Sequence, residues 1–148
     1  MSNALTGLSD ALADTVSTSS VGVVRVEGRE RVPASGIIWS ADGLVVTAHH
    51  ALERDENISV GMPAGESLPA TLVGRNPTTD LAVLRIDASS LSTLQWAQPD
   101  SLQVGHLALA LARPGNNVQA TMGIIWALAV AGAPIPEALG TGTSKPTW

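Results

Sequence analysis

The feature that most constrains the fold of this chain is a series of short apolar runs between residues 21 and 86. The runs are rich in valine, isoleucine and leucine, and glycine, proline, asparagine or aspartate separates them. β-branched residues favour strands, and short strands at regular spacing are typical of an all-β barrel or sandwich. The runs that predict strands are 21–26, 37–39, 44–46, 58–60, 68–73 and 81–86.

Other segments flank these strands. Apolar residues at spacings of three and four predict a short amphipathic helix over residues 4–16, which we expect to end at the Ser/Thr cluster 17–20. Two further strands are predicted at 104–113 and 118–128, joined by a turn rich in proline, glycine and asparagine. Residues 131–148 show no periodicity and are expected to be an irregular tail.

Composition excludes several classes of protein. The chain has 148 residues, of which 45% are hydrophobic and 14% charged, so it is globular rather than disordered. Its net charge of -5, without a Lys/Arg cluster, argues against a nucleic-acid partner. It has no cysteine, which excludes disulfides, thiolate zinc sites and a cysteine nucleophile.

The cellular location of the chain is predicted from the absence of a signal segment and of a membrane span. Residues 1–14 have neither the basic region nor the continuous apolar region of a secretory signal. The most apolar stretches, 104–112 and 122–133, are shorter than the roughly 20 residues that a membrane span needs. We therefore expect a soluble, cytoplasmic chain with no membrane span.

A histidine stands at the end of the strongest hairpin signal. The apolar runs 37–39 and 44–46 flank Asp42 and Gly43, a pair that provides the positive φ angles of a tight turn. The second strand then leads through residues 47–50 to two histidines. A histidine at the end of a strand can be rigid and still accessible, which suits a general base.

Three segments resemble the HtrA/DegP branch of the trypsin-like serine proteases. Residues 36–52, with a D-G turn followed by T-A-H-H, are similar to the catalytic-histidine segment, so His50 takes the place of the catalytic histidine and His49 is only its neighbour. The D-L-A-V-L that begins at Asp80 is similar to the catalytic-aspartate segment. Residues 104–128 are similar to the opening strands of the second barrel.

The resemblance implies a fold and an activity. It implies a trypsin/chymotrypsin-like double β-barrel, with the first barrel complete, the second truncated and a short N-terminal helix. His50 would act as general base and acid, and a buried Asp80 carboxylate would accept its Nδ1–H. The implied activity is endopeptidase cleavage of unfolded or misfolded polypeptides, by a family that forms trimers. The implied units are an N-terminal helix and linker (1–20), a first β-barrel (21–100), the start of a second β-barrel (101–130) and a tail (131–148).

The chain departs from the family at the nucleophile. The family uses a G-N-S-G-G segment for the serine and the oxyanion hole, and these 148 residues contain no such segment. Ser144 lacks the following glycines and is interpreted as part of the tail. The chain alone is therefore expected to be inactive. It could be a truncated or frame-shifted protease, a pseudoprotease that binds peptides or assembles with subunits, or half of a split enzyme.

A metal site is the remaining alternative, because His49, His50 and Asp80 are ligand residue types. Neighbouring residues on a strand point to opposite faces, so the two histidines would not bind one ion. His106 is expected in the middle of a strand, as a surface residue. We therefore predict no metal and no cofactor.

Overall fold

In the part of the chain that the structure describes, one α-helix precedes a closed β-barrel, and a two-stranded sheet follows it. The computed structural model describes residues 3–30 and 32–128. The elements are α1 (Ala4–Ser19), β1 (Val23–Glu27), β2 (Ala34–Ile38), β3 (Leu44–Ala48), β4 (Ile58–Gly61), β5 (Ser67–Asn76), β6 (Leu81–Ile86), β7 (Leu107–Ala112) and β8 (Gln119–Ile124).

The first six strands form the barrel in the order β1-β2-β3-β6-β5-β4, and β4 pairs with β1 to close it. All of these pairs are antiparallel. Because successive side chains of a strand point to opposite faces, alternate residues fill the barrel. The core consists of Val24, Val26, Ile38, Val45, Leu52, Ile58, Val60, Met62, Ala82, Leu84 and Ile86. The six strands predicted from the apolar runs correspond to these six.

Helix α1 is longer than the sequence predicts. The side chain of Asn3 accepts a hydrogen bond from the Leu5 N–H at its start, and the helix continues through the Ser/Thr cluster to Ser19. The cluster does not end the helix at its first residue, and the Ser20 hydroxyl, just after the helix, donates back to the Ser17 carbonyl. No residue of α1 is buried.

The loop between β2 and β3 is also different from the predicted tight turn. It spans residues 39–43, and φ is positive at Gly43 but not at Asp42. A Cβ on Gly43 would collide with the carbonyl oxygen of Ile86, whose N–H donates to the Gly43 carbonyl. Glycine is therefore needed here both for its φ of 102° and for a close approach to β6.

Strands β7 and β8 pair with each other in an antiparallel hairpin. Both are shorter than the predicted strands 104–113 and 118–128. The hairpin is fastened to the barrel by Arg113, which is 5% exposed. Its guanidinium donates to the carbonyls of Ser20, Val23 and Asn116 at 2.8, 2.7 and 2.6 Å.

The prediction of an all-β fold with a closed first barrel, a partial second sheet and one N-terminal helix is confirmed. The expected tail, 131–148, lies outside the described residues, and so does Ser144.

Candidate active site

Strand pairing brings the two predicted catalytic residues together. Strands β3 and β6 are antiparallel neighbours, and their last pair is Ala48 with Leu81. The residues that follow β3 therefore lie beside the residue that precedes β6, which is Asp80. The chain leaves β3 in a short 3₁₀ turn, His49–Ala51, called the histidine turn below.

Three hydrogen bonds join the histidine turn to Asp80. The His49 N–H donates to the backbone carbonyl of Asp80 at 2.9 Å. The His50 N–H donates to Oδ1 at 2.9 Å, and the His50 ring nitrogen Nδ1 lies 2.6 Å from Oδ2. The carboxylate thus contacts both the backbone and the ring of one histidine. An Nδ1–H that donates to a carboxylate leaves Nε2 free to accept a proton.

The surroundings of Asp80 favour its ionised form. The pKa of Asp80 lies below its ordinary value of 3.8, first because the backbone N–H of His50 donates to the carboxylate and next because the His50 ring does. The side chains of His50 and Asp80 are 68% and 48% exposed. The Asp80 carboxylate is therefore half exposed in this structure, and the expectation of a buried carboxylate is wrong.

The backbone at Asp80 is unusual, because its φ is 54°, in the left-handed region. Asparagine and aspartate tolerate this region better than most residues, at a cost of about 1–2 kcal/mol. The conformation lets the carbonyl and the carboxylate of Asp80 face the histidine turn together. Sequence analysis identified Asp80 as the first residue of the D-L-A-V-L segment but did not predict this backbone conformation.

A largely apolar cleft of about 290 Å³ opens beside Asp80, between the barrel and the hairpin. Its walls include Val46 and Thr47 of β3, Leu81 of β6 and Leu111 of β7. Thr47 is buried, and its hydroxyl donates to the Ser35 carbonyl of β2 at 2.8 Å. Asp80, the partner of His50, thus lies at the edge of a cleft that apolar side chains line.

The other two histidines differ from their predicted placement. His49 lies in the histidine turn rather than on a strand, so the argument from opposite strand faces does not apply to it. His106 precedes β7 rather than lying within it, and its Nδ1 accepts a hydrogen bond from the Gln103 N–H at 3.2 Å. Across residues 3–30 and 32–128, no group of three or more histidine, cysteine, aspartate or glutamate side chains is arranged to hold a metal ion.

Sequence analysis missed Arg29, which reaches the histidine turn from the β1–β2 loop. Its Nη2 donates to the His50 carbonyl at 2.5 Å and its Nε donates to the Ala51 carbonyl at 3.1 Å. The only local signal is an arginine directly after Gly28. That signal does not indicate a partner 21 residues away.

Comparison with known proteins shows the family. The trypsin-like peptidase domain family matches residues 34–145, most of the chain. The chain belongs to this family. The match includes β2, the histidine turn, Asp80 and both strands of the hairpin.

Similar proteins place the chain in the HtrA/DegP branch. A probable periplasmic serine endoprotease of DegP-like type from Chlamydia trachomatis is 40% identical over 102 residues, which cover 68% of this chain and 20% of the relative. The serine endoprotease DegS of Haemophilus influenzae is 39% identical over 95 residues, which cover 64% of this chain and 28% of the relative. A solved structure of the HtrA-type protease AlgW with a tripeptide has a TM-score of 0.70 and 33% identity, and the match covers 78% of this chain and 39% of that one. The predicted family is confirmed.

The chain spans about a fifth of the length of the DegP-like relatives that it matches, at 20% for the Chlamydia trachomatis protein. The region that the family model matches, residues 34–145, contains the His50 and Asp80 segments. The activity, substrates and partners of the longer relatives are therefore considered below as proposals.

The expectation of a cytoplasmic protein is wrong. The DegP-like relatives from three Chlamydia species, Halomonas elongata and Pseudomonas putida are all named periplasmic. Composition could not distinguish the cytoplasm from the periplasm, because a cysteine-free globular chain suits a reducing or an oxidising compartment equally. Among the described residues, no helix is both long enough and apolar enough to cross a membrane.

Proposed function

We propose that this chain provides the histidine–aspartate half of a serine endopeptidase site that acts on unfolded polypeptides. His50 is the general base that takes the proton of a serine nucleophile and later returns it to the leaving amine. Asp80 orients the imidazole and stabilises its protonated form. The observation that carries this proposal is the 2.6 Å contact between His50 Nδ1 and Asp80 Oδ2 in a ring that stays 68% exposed.

Two further observations support the choice of substrate and compartment. The cleft beside Asp80 has mostly apolar walls, which suit the apolar side chains that unfolded polypeptides expose. The AlgW structure similar to this chain holds a tripeptide, and several relatives are named periplasmic. We therefore propose the periplasm as the place of action. We also propose residues 21–100 as the first barrel unit and residues 101–130 as the start of the second.

By itself the 148-residue chain is proposed to be inactive. Its sequence has no G-x-S-G-G, so it lacks the family's nucleophile and the backbone N–H donors of the oxyanion hole. Loss of the serine alone lowers turnover about 10⁶-fold in a serine protease of another fold. Each lost oxyanion donor removes roughly 3–4 kcal/mol of transition-state stabilisation.

The first experiment measures hydrolysis of unfolded casein by the purified chain and by His50→Ala, with and without a serine-directed phosphonate probe. We expect no turnover and no probe adduct for the chain alone. We expect turnover after a second polypeptide that carries G-N-S-G-G and the remaining strands is added, and loss of that turnover in His50→Ala. Turnover by the chain alone that depends on His50 and forms an adduct would refute the proposed inactivity.

The alternative is a non-catalytic module that binds peptides or assembles with related subunits. Exposed apolar residues on the hairpin favour it, because Leu107, Met122 and Ile124 are each about half exposed or more. Fluorescence anisotropy with labelled unfolded casein tests this alternative. Binding that is equal in the parent chain and His50→Ala, with no turnover after the second polypeptide is added, would favour the module over the half-site. Sedimentation then tests the trimer that the family resemblance implies.

A further inference from the structure

The histidine turn has few hydrogen bonds of its own. Its internal bond runs from the Leu52 N–H to the His49 carbonyl at 3.1 Å. The N–H groups of His49 and His50 are both directed to Asp80. The carbonyls of His50 and Ala51 have no partner within the turn, because the last carbonyls of a helical turn have no donor in the turn itself.

Arg29 provides those donors. Its guanidinium reaches the His50 carbonyl at 2.5 Å and the Ala51 carbonyl at 3.1 Å, so one planar fork holds two consecutive carbonyls. The turn is thus held between a carboxylate on its donor side and a guanidinium on its acceptor side. Hydrogen bonds with a charged partner are about twice as strong as neutral ones.

The backbone beside Arg29 makes this reach possible. The Gly28 carbonyl accepts a hydrogen bond from the Glu53 N–H at 3.1 Å, so the β1–β2 loop lies directly against the residues after the turn. A Cβ on Gly28 would come within 2.5 Å of Leu52 Cδ2, so only glycine permits this approach without displacing the Leu52 side chain. Gly28 thus allows the β1–β2 loop to lie close to the histidine turn, and Arg29 then bonds to the carbonyls of that turn.

We propose that Arg29 is a positioning residue for His50, because its guanidinium fixes the carbonyl side of the histidine turn and with it the direction in which the imidazole leaves the backbone. This inference rests on the proposed role of His50 as general base. The Arg29 guanidinium bonds to the backbone of the turn, and not to the His50 ring or to Asp80, so it acts through that backbone. A general base must be held close to its productive geometry, so a loose turn would weaken its contact with Asp80.

The test is an NMR comparison of the whole 148-residue chain with Arg29→Gln. Three signals are followed: exchange of the His50 backbone N–H, the resonance of the His50 Nδ1–H, and the pKa of the Asp80 carboxyl. We expect exchange of the His50 N–H to become about tenfold faster, because the turn loses hydrogen bonds from a charged donor. The Nδ1–H resonance should weaken, and the pKa of Asp80 should rise toward its ordinary value because its two His50 donors become less fixed.

The matched control is Arg75→Gln. Arg75 donates to the carbonyl of Leu52, the residue directly after the turn, at 3.2 Å, and pairs with Asp55 at 2.9 Å. This variant removes the same charge from a neighbouring carbonyl and should leave all three signals unchanged. If Arg29 were merely structural, Arg29→Gln would change amide exchange equally at β3, β6 and His50. If Arg29 is a positioning residue, Arg29→Gln changes exchange at His50 and leaves the amides of the barrel unchanged.

The outcomes are separate from those of the proposed function. If the parent chain shows neither the Nδ1–H resonance nor a lowered Asp80 pKa, the His50–Asp80 pair itself is absent and both proposals fail. If the parent shows both signals and a folded Arg29→Gln keeps them with unchanged His50 exchange, only the role of Arg29 is refuted. If Arg29→Gln does not fold, Arg29→Lys decides, because it keeps the charge without the fork and should show the same changes to a smaller extent.

Discussion

Replacing Arg113 with methionine should release the β7–β8 hairpin from the barrel while the barrel remains folded. Arg113 is 5% exposed, and its guanidinium bonds to carbonyls at the end of α1, in β1 and in the hairpin's own turn. Its backbone N–H also donates to the Ser35 hydroxyl at 2.8 Å, which this substitution retains. Methionine keeps much of the apolar stem but has no donor.

The magnitude follows from the three contacts. Each hydrogen bond to a charged group is worth about 1.5–3 kcal/mol, but the lost guanidinium no longer has to be desolvated, which offsets part of the sum. One of the three bonds, to Asn116, lies within the hairpin and does not hold it to the barrel. We therefore expect the free energy of hairpin release to fall by about 2–4 kcal/mol. A free two-stranded hairpin is marginally stable at best in water, so release should also unfold it.

Hydrogen–deuterium exchange read by mass spectrometry checks this prediction. Peptides that cover β7 and β8 should lose protection in Arg113→Met, and peptides that cover β3 and β6 should keep it. The control is Arg85→Met, because Arg85 is half exposed and its Nη1 bonds to the neighbouring loop at Asp42 only, donating to the carbonyl at 3.3 Å and lying 3.6 Å from Oδ2. Unchanged protection of the hairpin, or an equal loss of protection in the hairpin and the barrel, would refute the view that Arg113 specifically holds the hairpin to the barrel.

Three other substitutions test the barrel and the site. Leu84→Ala, fully buried in the core, should lower the free energy of unfolding by about 2–5 kcal/mol in urea titrations, and a loss well under 1 kcal/mol would contradict the core assignment. Gly43→Ala should destabilise the protein more than Gly65→Ala in the same titrations. Both glycines have φ near 100°, but only Gly43 faces a backbone oxygen, that of Ile86. Equal losses of stability would show that this contact is unimportant. Asp80 has a lowered pKa, so the stability that it contributes is present above pH 3.8 and is lost as pH falls through its folded-state pKa. Asp80→Asn should therefore be less stable than the parent near pH 7. In acid titrations followed by circular dichroism, this difference in stability should shrink below about pH 4. A difference that stays constant with pH would refute the link between the Asp80 pKa and stability.

Local signals predicted the strands well and their ends poorly. The apolar runs place all six barrel strands because alternation and β-branching act within a few residues. The end of α1 was predicted three residues early, because serine and threonine can either stop a helix or bond back to it, and Ser20 does the latter. The Asp42–Gly43 turn was predicted too tight, since the contact of Gly43 with β6 decides the loop.

The sequence by itself determined the all-β class, the positions of the strands along the chain and the two segments that carry His50 and Asp80, because each of these depends on consecutive residues. Only the tertiary structure decided how these residues meet. The pairing of β3 with β6 sets His50 against Asp80, and Arg29 and Arg113 find carbonyls far from them in sequence. A carbonyl is present at every residue, so the sequence gives no sign of which one an arginine will bind. That choice depends on which backbone segments the closed barrel brings together.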